Sequence, residues 1–294
     1  MEDKISRYLI DRKKDIRLLN VKERDIKLKL TKEFIFSIIG PRRAGKTYLI
    51  YHFIKKNKLK EEDYLFVNFE EIEGVLEDFL SKHIEIYGKY PKFLFLDEIQ
   101  NLPKWQKQVY KLYERKRFYI FITGSSSKLL SKKIATQLRG RSQTVKIFPF
   151  SFSEILKIND LKKKFYSSEE LSRIKSLLRT HVKCGCFPNI VLQKIEPIKF
   201  IFELINLVIF KDIIERYDVE NRIALEFFIK NAIASNSNIF SVNKVYNATK
   251  STGIKVSKNT LYNFQKYLEL SLIHISEPHE TRHDLVCRLL LEKK

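Results

Sequence analysis

Glycine is scarce in this chain, with 8 among 294 residues, so the place of each one carries information. Cysteine is scarcer. The three present, two of them in Cys184-Gly185-Cys186, do not make a disulfide framework. One residue between those two sulfurs, with no second cysteine pair, reads as a turn rather than a zinc site. No apolar run approaches the roughly 18 residues that cross a bilayer, so no membrane partner is expected. Met1-Glu2-Asp3-Lys4 is charged and leads into no apolar signal segment, which points to the cytoplasm. Acidic residues are outnumbered, 35 against 56 Lys and Arg, leaving a net charge of +21. Such an excess suits a polyanionic partner through counterion release. A lysine-rich solvated surface would give the same balance, because charge speaks to association and not to fold. With 44% hydrophobic and 31% charged residues the chain should fold, as one large or two ordinary domains.

Two of the glycines frame Gly40-Pro41-Arg42-Arg43-Ala44-Gly45-Lys46-Thr47, which fits G-x-x-x-x-G-K-[ST], a phosphate loop. The preceding Phe34–Ile39 reads as a short buried strand, and Tyr48–Ile54 as an apolar helical stretch. Strand, loop and helix together aim backbone N–H groups and a helix N-terminus at a polyphosphate. Lys46 is then expected to reach the β- and γ-phosphates, and Thr47 to take a Mg²⁺ position. The expected nucleotide-contacting set is Gly40, Pro41, Arg42, Arg43, Ala44, Gly45, Lys46, Thr47 and Tyr48.

Further apolar segments recur with helical spacers: Tyr64–Phe69, Lys92–Glu98, Phe118–Thr123 and Thr144–Phe148. Near-continuous apolar strands alternating with helices indicate a mainly parallel five-stranded sheet covered on both faces, an α/β fold. Ligands then bind at the carboxyl ends of its strands. At one such end Asp97 is placed to hold Mg²⁺ with Thr47, and Glu98 to polarise the attacking water. Capping of a following helix is the plainer role for an Asp-Glu pair. The fourth strand runs into Thr123-Gly124-Ser125-Ser126-Ser127. Thr123 or Ser125 would stand between the acids and the γ-phosphate as a sensor; a serine there also suits a helix cap. In Leu138-Arg139-Gly140-Arg141-Ser142, Arg141, or else Arg139, is the candidate finger on transition-state charge, acting in its own chain or on a neighbour.

After Pro149 the pattern turns helical, over Ser153–Asp160, Ser168–Val182 and Pro197–Tyr217. From Arg222 to Leu268 a helix-turn-helix is expected: a helix Ser241–Thr249, a turn at Gly253, and a helix Ser257–Leu268 ringed by Lys250, Lys255, Lys258 and Lys266. Such a helix could enter a major groove or pack between subunits. From about Leu270 the text resembles a translated sequencing adapter, so His274, His279 and His283 are not expected to form a metal site.

Gly-Pro-Arg-Arg-x-Gly-Lys-Thr at 40–47, Leu-Asp-Glu-Ile-Gln at 96–100, Thr-Gly-Ser-Ser at 123–126 and Gly-Arg at 140–141 occur together with Phe-Pro-Phe-Ser-Phe-Ser-Glu at 148–154 and Gly-Cys-Phe-Pro at 185–188. As a set they resemble prokaryotic AAA-superfamily P-loop ATPases that carry a C-terminal winged helix and a nuclease-like domain. The resemblance covers roughly residues 5–268. It implies ATP rather than GTP, Mg²⁺ as cofactor and no known substrate. The expected organisation is a P-loop ATPase core over 1–150, a helical lid over 151–195, a winged-helix-like domain over 196–269 and a non-native tail over 270–294. The expected activity is ATP hydrolysis coupled to DNA, in a chain that could assemble as a homo-oligomer. A nucleotide-gated DNA or protein switch with little turnover is the alternative.

Overall fold

The computed structural model describes residues 2–26, 28, 30–125, 138, 140–161, 167–193, 195–235 and 240–272. The chain divides into two compact units, Met1–Phe148 and Pro149–Lys294.

The first unit opens on helix α1 (Glu2–Leu18) and continues β1 (Ile35–Gly40), α2 (Lys46–Lys56), β2 (Tyr64–Asn68), α3 (Leu76–Tyr87), β3 (Phe93–Asp97), α4 (Trp105–Glu114), β4 (Tyr119–Ser125) and β5 (Ser142–Lys146). The strands form one sheet in the order β2-β3-β4-β1-β5. Every pairing is parallel. Successive side chains of a strand point to opposite faces, and both faces here are apolar. Ile35, Ile39, Leu65, Val67, Leu94, Leu96, Ile120 and Ile122 pack on one side with Ile5 and Leu9 of α1, Phe79 of α3 and Val109 of α4. Phe36, Ile38, Phe66, Phe95 and Phe121 pack on the other with Leu49, Ile50 and Phe53 of α2. The rings of Phe36 and Phe121 stack at 5.0 Å.

This order matters for the site. β4 lies between β1 and β3, so its carboxyl end separates the loop after β1 from the acids after β3. The fifth strand sits two residues earlier than the sequence pattern suggested. Ser142, Gln143 and Thr144 hide it, because an edge strand needs only backbone pairing to β1 and keeps its side chains largely exposed. Helix α1 was not anticipated. It buries Ile5, Leu9 and Ile16 together with a charged residue, Lys13.

The second unit is helical among the described residues: α5 (Phe152–Ile158), α6 (Ser168–Cys184), α7 (Pro188–Gln193), α8 (Pro197–Leu207), α9 (Arg222–Ala234), α10 (Val242–Ser251) and α11 (Lys258–Leu272). Ser151 and Glu154 start α5 as a reciprocal capping box. Helix α8 runs on through a π-helical stretch, Val208–Ile214, to Tyr217. Phe228 of α9, Val245 of α10 and Leu261 and Phe264 of α11 share one core. The α10–α11 pair turns at Gly253, whose φ of 72° is left-handed. It therefore has the expected helix-turn-helix form, with α11 reaching Leu272 rather than Leu268. No strand follows β5 among the described residues, and the positions after Leu272, where a wing would follow, lie outside them. His274, His279 and His283 fall there too. Gly185 caps α6 at φ 71°, as the turn reading of that segment required, while Cys186 Sγ lies 2.9 Å from His181 Nε2. Among the described residues, no helix is long and apolar enough to cross a membrane.

Candidate functional site

β1 is buried along its whole length and ends at Gly40. A Cβ at Gly40 would lie 2.1 Å from the carbonyl oxygen of Ile147, so only glycine lets the chain after β5 close on the loop. Gly45, at φ 93°, turns the loop into α2, and Arg43 is also left-handed at φ 61°. Lys46 is buried and its Nζ donates back to the carbonyls of Gly40 (3.3 Å) and Pro41 (3.1 Å). Arg42 is half-buried, while Arg43 and Tyr48 are exposed. The loop has a brace that the sequence did not reveal. Buried Arg24 donates Nη1 to the Ala44 carbonyl (3.1 Å) and Nη2 to the Phe148 carbonyl (2.6 Å). These partners lie 20 and 124 residues away, and no local pattern marks such a contact.

Asp97, at the end of β3, is fully buried. Thr47 donates its hydroxyl to Asp97 Oδ2 at 2.7 Å, and Thr123 of β4 donates to Oδ1. Thr123 Oγ1 in turn accepts from the Glu98 backbone N–H at 3.1 Å. One threonine thus ties both acids to the central strand. Burial pushes the Asp97 pKa above the usual carboxylate range. The Thr123 hydrogen bond opposes that shift, the Glu98 charge adds to it, and Thr47 and Lys46 also work against it. Glu98 is half-buried, with Oε1 4.0 Å from Lys46 Nζ and Oε2 accepting from Gln100 Nε2. Ser125 ends β4 opposite Gly40 in the backbone register; its side chain lies outside the described residues. The phosphate loop, Lys46, Thr47, Asp97, Glu98 and Thr123 therefore converge at one edge of the sheet. Helix α1 reaches the same edge, where Tyr8 OH accepts from the Asn68 backbone N–H at 2.9 Å.

Arg141 does not converge with them. Its carbonyl accepts from the Ile35 N–H at 2.9 Å, at the amino edge of the sheet, and Ser142 pairs with Ile35. At about 3.3 Å per residue the length of β1 puts it roughly 17 Å from the phosphate loop. Its guanidinium donates to Glu114 and to the Tyr110 hydroxyl. The expectation that Arg141 reaches the γ-phosphate of its own chain is corrected: the parallel register puts the start of β5 at the wrong end of the sheet. Arg139 lies outside the described residues.

Close approach at Gly40, the donors and helix N-terminus beyond it, and a buried carboxylate beside a hydroxyl all fit a polyphosphate with a divalent cation. Residues 32–156 match the model of a family described as an AAA domain. The chain is 38% identical over 251 residues to the uncharacterized protein MJ1544 of Methanocaldococcus jannaschii, covering 83% of this chain and 56% of that one. It is 29% identical over 249 residues to an uncharacterized protein of Haemophilus influenzae, covering 81% and 60%. The chain thus spans little more than half the length of these relatives. Among solved structures, AMPPCP-bound DnaA from Aquifex aeolicus overlaps 80% of this chain and 81% of its own at 13% identity and a TM-score of 0.31. That likeness adds nothing to what the strand order already shows.

Proposed function

We propose that the AAA domain at residues 32–156 binds ATP with Mg²⁺ and hydrolyses it at the carboxyl edge of its sheet. The observation that supports this best is the convergence of three elements on Asp97: Thr47 from α2, Thr123 from β4, and Glu98 next in the chain. The backbone N–H groups of the loop, from Arg42 to Tyr48, and the Lys46 side chain would hold the phosphates, and Thr47 and Asp97 would hold the cation. Bound there, Mg²⁺ would supply neutralisation of phosphate charge. Glu98 takes a proton from water as its oxygen bonds to the γ-phosphorus. The bond from that phosphorus to the bridging oxygen breaks, and ADP leaves with the electron pair. Thr123 keeps the Asp97 carboxylate and the Glu98 backbone in place during this step.

DNA is the proposed second partner. Lys258, Asn259, Tyr262, Asn263 and Lys266 form an exposed polar face on α11, opposite buried Leu261, Phe264 and Leu268, with Lys250 and Lys255 exposed nearby. The test is phosphate release by the purified protein with and without duplex DNA at two salt concentrations. Glu98→Gln should keep ATP and slow turnover by about 10²-fold, whereas Asp97→Asn should weaken Mg²⁺-dependent binding. One shared phenotype would overturn that division of roles.

The place of Arg141 favours a second reading, in which an isolated copy binds ATP with little turnover and a neighbouring copy supplies the guanidinium. Mixing Arg141→Ala with Lys46→Ala protein should then restore part of the activity, because each lacks what the other carries. No rescue would leave Arg141 a surface residue.

A further inference from the structure

Glu98 occupies a left-handed backbone conformation, φ 47°, which a side chain other than glycine adopts only at a cost. One 3-10 turn follows it, Ile99–Asn101, anchored by fully buried Ile99. The turn folds the second residue on, Gln100, back over Glu98, so that Gln100 Nε2 donates to Glu98 Oε2. A carboxylate only accepts hydrogen bonds, so the amide nitrogen must face it and the amide oxygen must point elsewhere. That oxygen, Gln100 Oε1, is buried and has no hydrogen-bond partner among the described residues.

The other carboxylate oxygen, Glu98 Oε1, faces Lys46 Nζ at 4.0 Å. These two restraints on Glu98 differ in what nucleotide would do to them. On the hydrolysis reading above, Lys46 turns to phosphate, and the Gln100 amide is the one that stays. A neutral amide also suits the task, because a cationic partner would hold a carboxylate but weaken it as a base.

Resting on that reading, we propose that Gln100 is the positioning residue for Glu98, its amide holding the carboxylate toward the attacking water. Water carries two hydrogens. One passes to Glu98 as the oxygen bonds to the γ-phosphorus and ADP departs with the electron pair. The Gln100 amide holds the carboxylate in the orientation that receives this hydrogen. The tight turn directly after Glu98 brings the side chain two positions along back to it.

The test compares wild type, Gln100→Ala, Gln100→Glu, Glu98→Gln and the Glu98→Gln/Gln100→Ala double variant, measuring ATP affinity and single-turnover hydrolysis for each. Gln100→Ala should lower turnover by about tenfold or more, as loss of a positioned catalytic group does, with affinity nearly unchanged. Gln100→Glu keeps the shape of the side chain and so guards against misfolding. It should lower turnover at least as far, because a carboxylate cannot donate to Glu98. In the Glu98→Gln background, Gln100→Ala should add nothing further. Wild-type turnover in Gln100→Ala, the same fold-loss in both backgrounds, or a loss confined to affinity would each overturn the assignment. If Glu98→Gln is slow while Gln100→Ala is normal, this inference alone falls. If wild-type protein binds ATP without hydrolysing it, the hydrolysis reading falls and takes this one with it.

Discussion

The two edges of the sheet carry similar residues and treat them oppositely. At the carboxyl edge Asp97, Lys46 and Thr123 are buried; Asp97 accepts from Thr47 and Thr123, and Lys46 donates to the Gly40 and Pro41 carbonyls. At the amino edge Lys89 pairs with Glu62 and Asp63, Lys92 with Asp63, and Arg141 with Glu114, all on exposed side chains except the half-buried Asp63. The carboxylates show the difference. Burial lifts the Asp97 pKa, whereas at Asp63 burial, though the largest single effect, is outweighed by Lys92 and Lys89 together and the pKa falls. An exposed pair contributes little to stability and is screened by salt. A buried carboxylate with a raised pKa is costly, and is the kind of group found where chemistry uses it.

The largest contrast is expected for lysine removal at each edge. Lys46→Ala should weaken ATP binding by about 10²-fold or more, since its charge serves phosphate and not packing. Lys92→Ala should leave ATP affinity unchanged. Titration with a fluorescent ATP analogue, alongside circular dichroism to confirm folding, reads both. Equal affinities for the two variants would remove the distinction between the edges.

Glycine substitution separates them next. Gly40→Ala drives a Cβ to 2.1 Å from a backbone oxygen, which cannot move as a side chain could. The expected cost is about 1–3 kcal/mol, and ATP binding should be lost with it. Gly140, at the amino edge, has no atom of a described residue within 4 Å of its Cβ position and a φ of 73°. Gly140→Ala should therefore cost only the left-handed strain, about 1–2 kcal/mol, and leave ATP affinity intact. Denaturant midpoints and the same titration distinguish the two.

Legibility from sequence follows the same division. Gly40, Gly45, Lys46, Thr47, Asp97 and Thr123 stand at fixed offsets from apolar strands, so local pattern placed them. Arg24 was illegible because its partners, Ala44 and Phe148, are remote and are backbone carbonyls, which no residue type announces. Helix α1 was missed because its charged residues dilute its apolar spacing, and one of them, Lys13, is itself buried. Arg141 was misplaced for want of a register: the spacing from Thr123 does not say at which end of the sheet β5 begins.

Lys13 tests whether burial alone marks function. Its Nζ donates to the Glu61 carbonyl at 2.6 Å and lies 3.4 Å from His83 Nδ1, beneath the amino end of β2 and away from Asp97. Burial lowers its pKa to about 7, against the opposing pull of Glu61 and Glu62. Burial first, and then the Lys13 charge, lower His83 to about 4. For both groups the folded pKa lies below the unfolded one, so the unfolded chain binds more protons in the interval. Stability must then rise with pH, between about 4 and 6.5 for His83 and between about 7 and 10.5 for Lys13. The melting midpoint should climb from pH 7 to 9, and Lys13→Met should flatten that climb without changing ATP affinity. A flat wild-type profile, or an affinity loss in the variant, would contradict a purely structural pair.

The smallest effect is expected where the amino edge looks most like a site. Arg141 contacts Glu114 and the Tyr110 hydroxyl, and lies over the rings of Tyr110 at 5.4 Å and Tyr113 at 5.7 Å. Yet the Arg141 and Glu114 side chains are 40% and 50% exposed, so water and salt compete for the same charges. In Glu114→Gln the guanidinium keeps the tyrosine hydroxyl and both rings, and loses only a screened attraction. The denaturation midpoint and ATP affinity should both match wild type within error. A clear fall in the midpoint would mean that this exposed pair holds the β5 turn in place, and that partner number rather than burial separates the two edges.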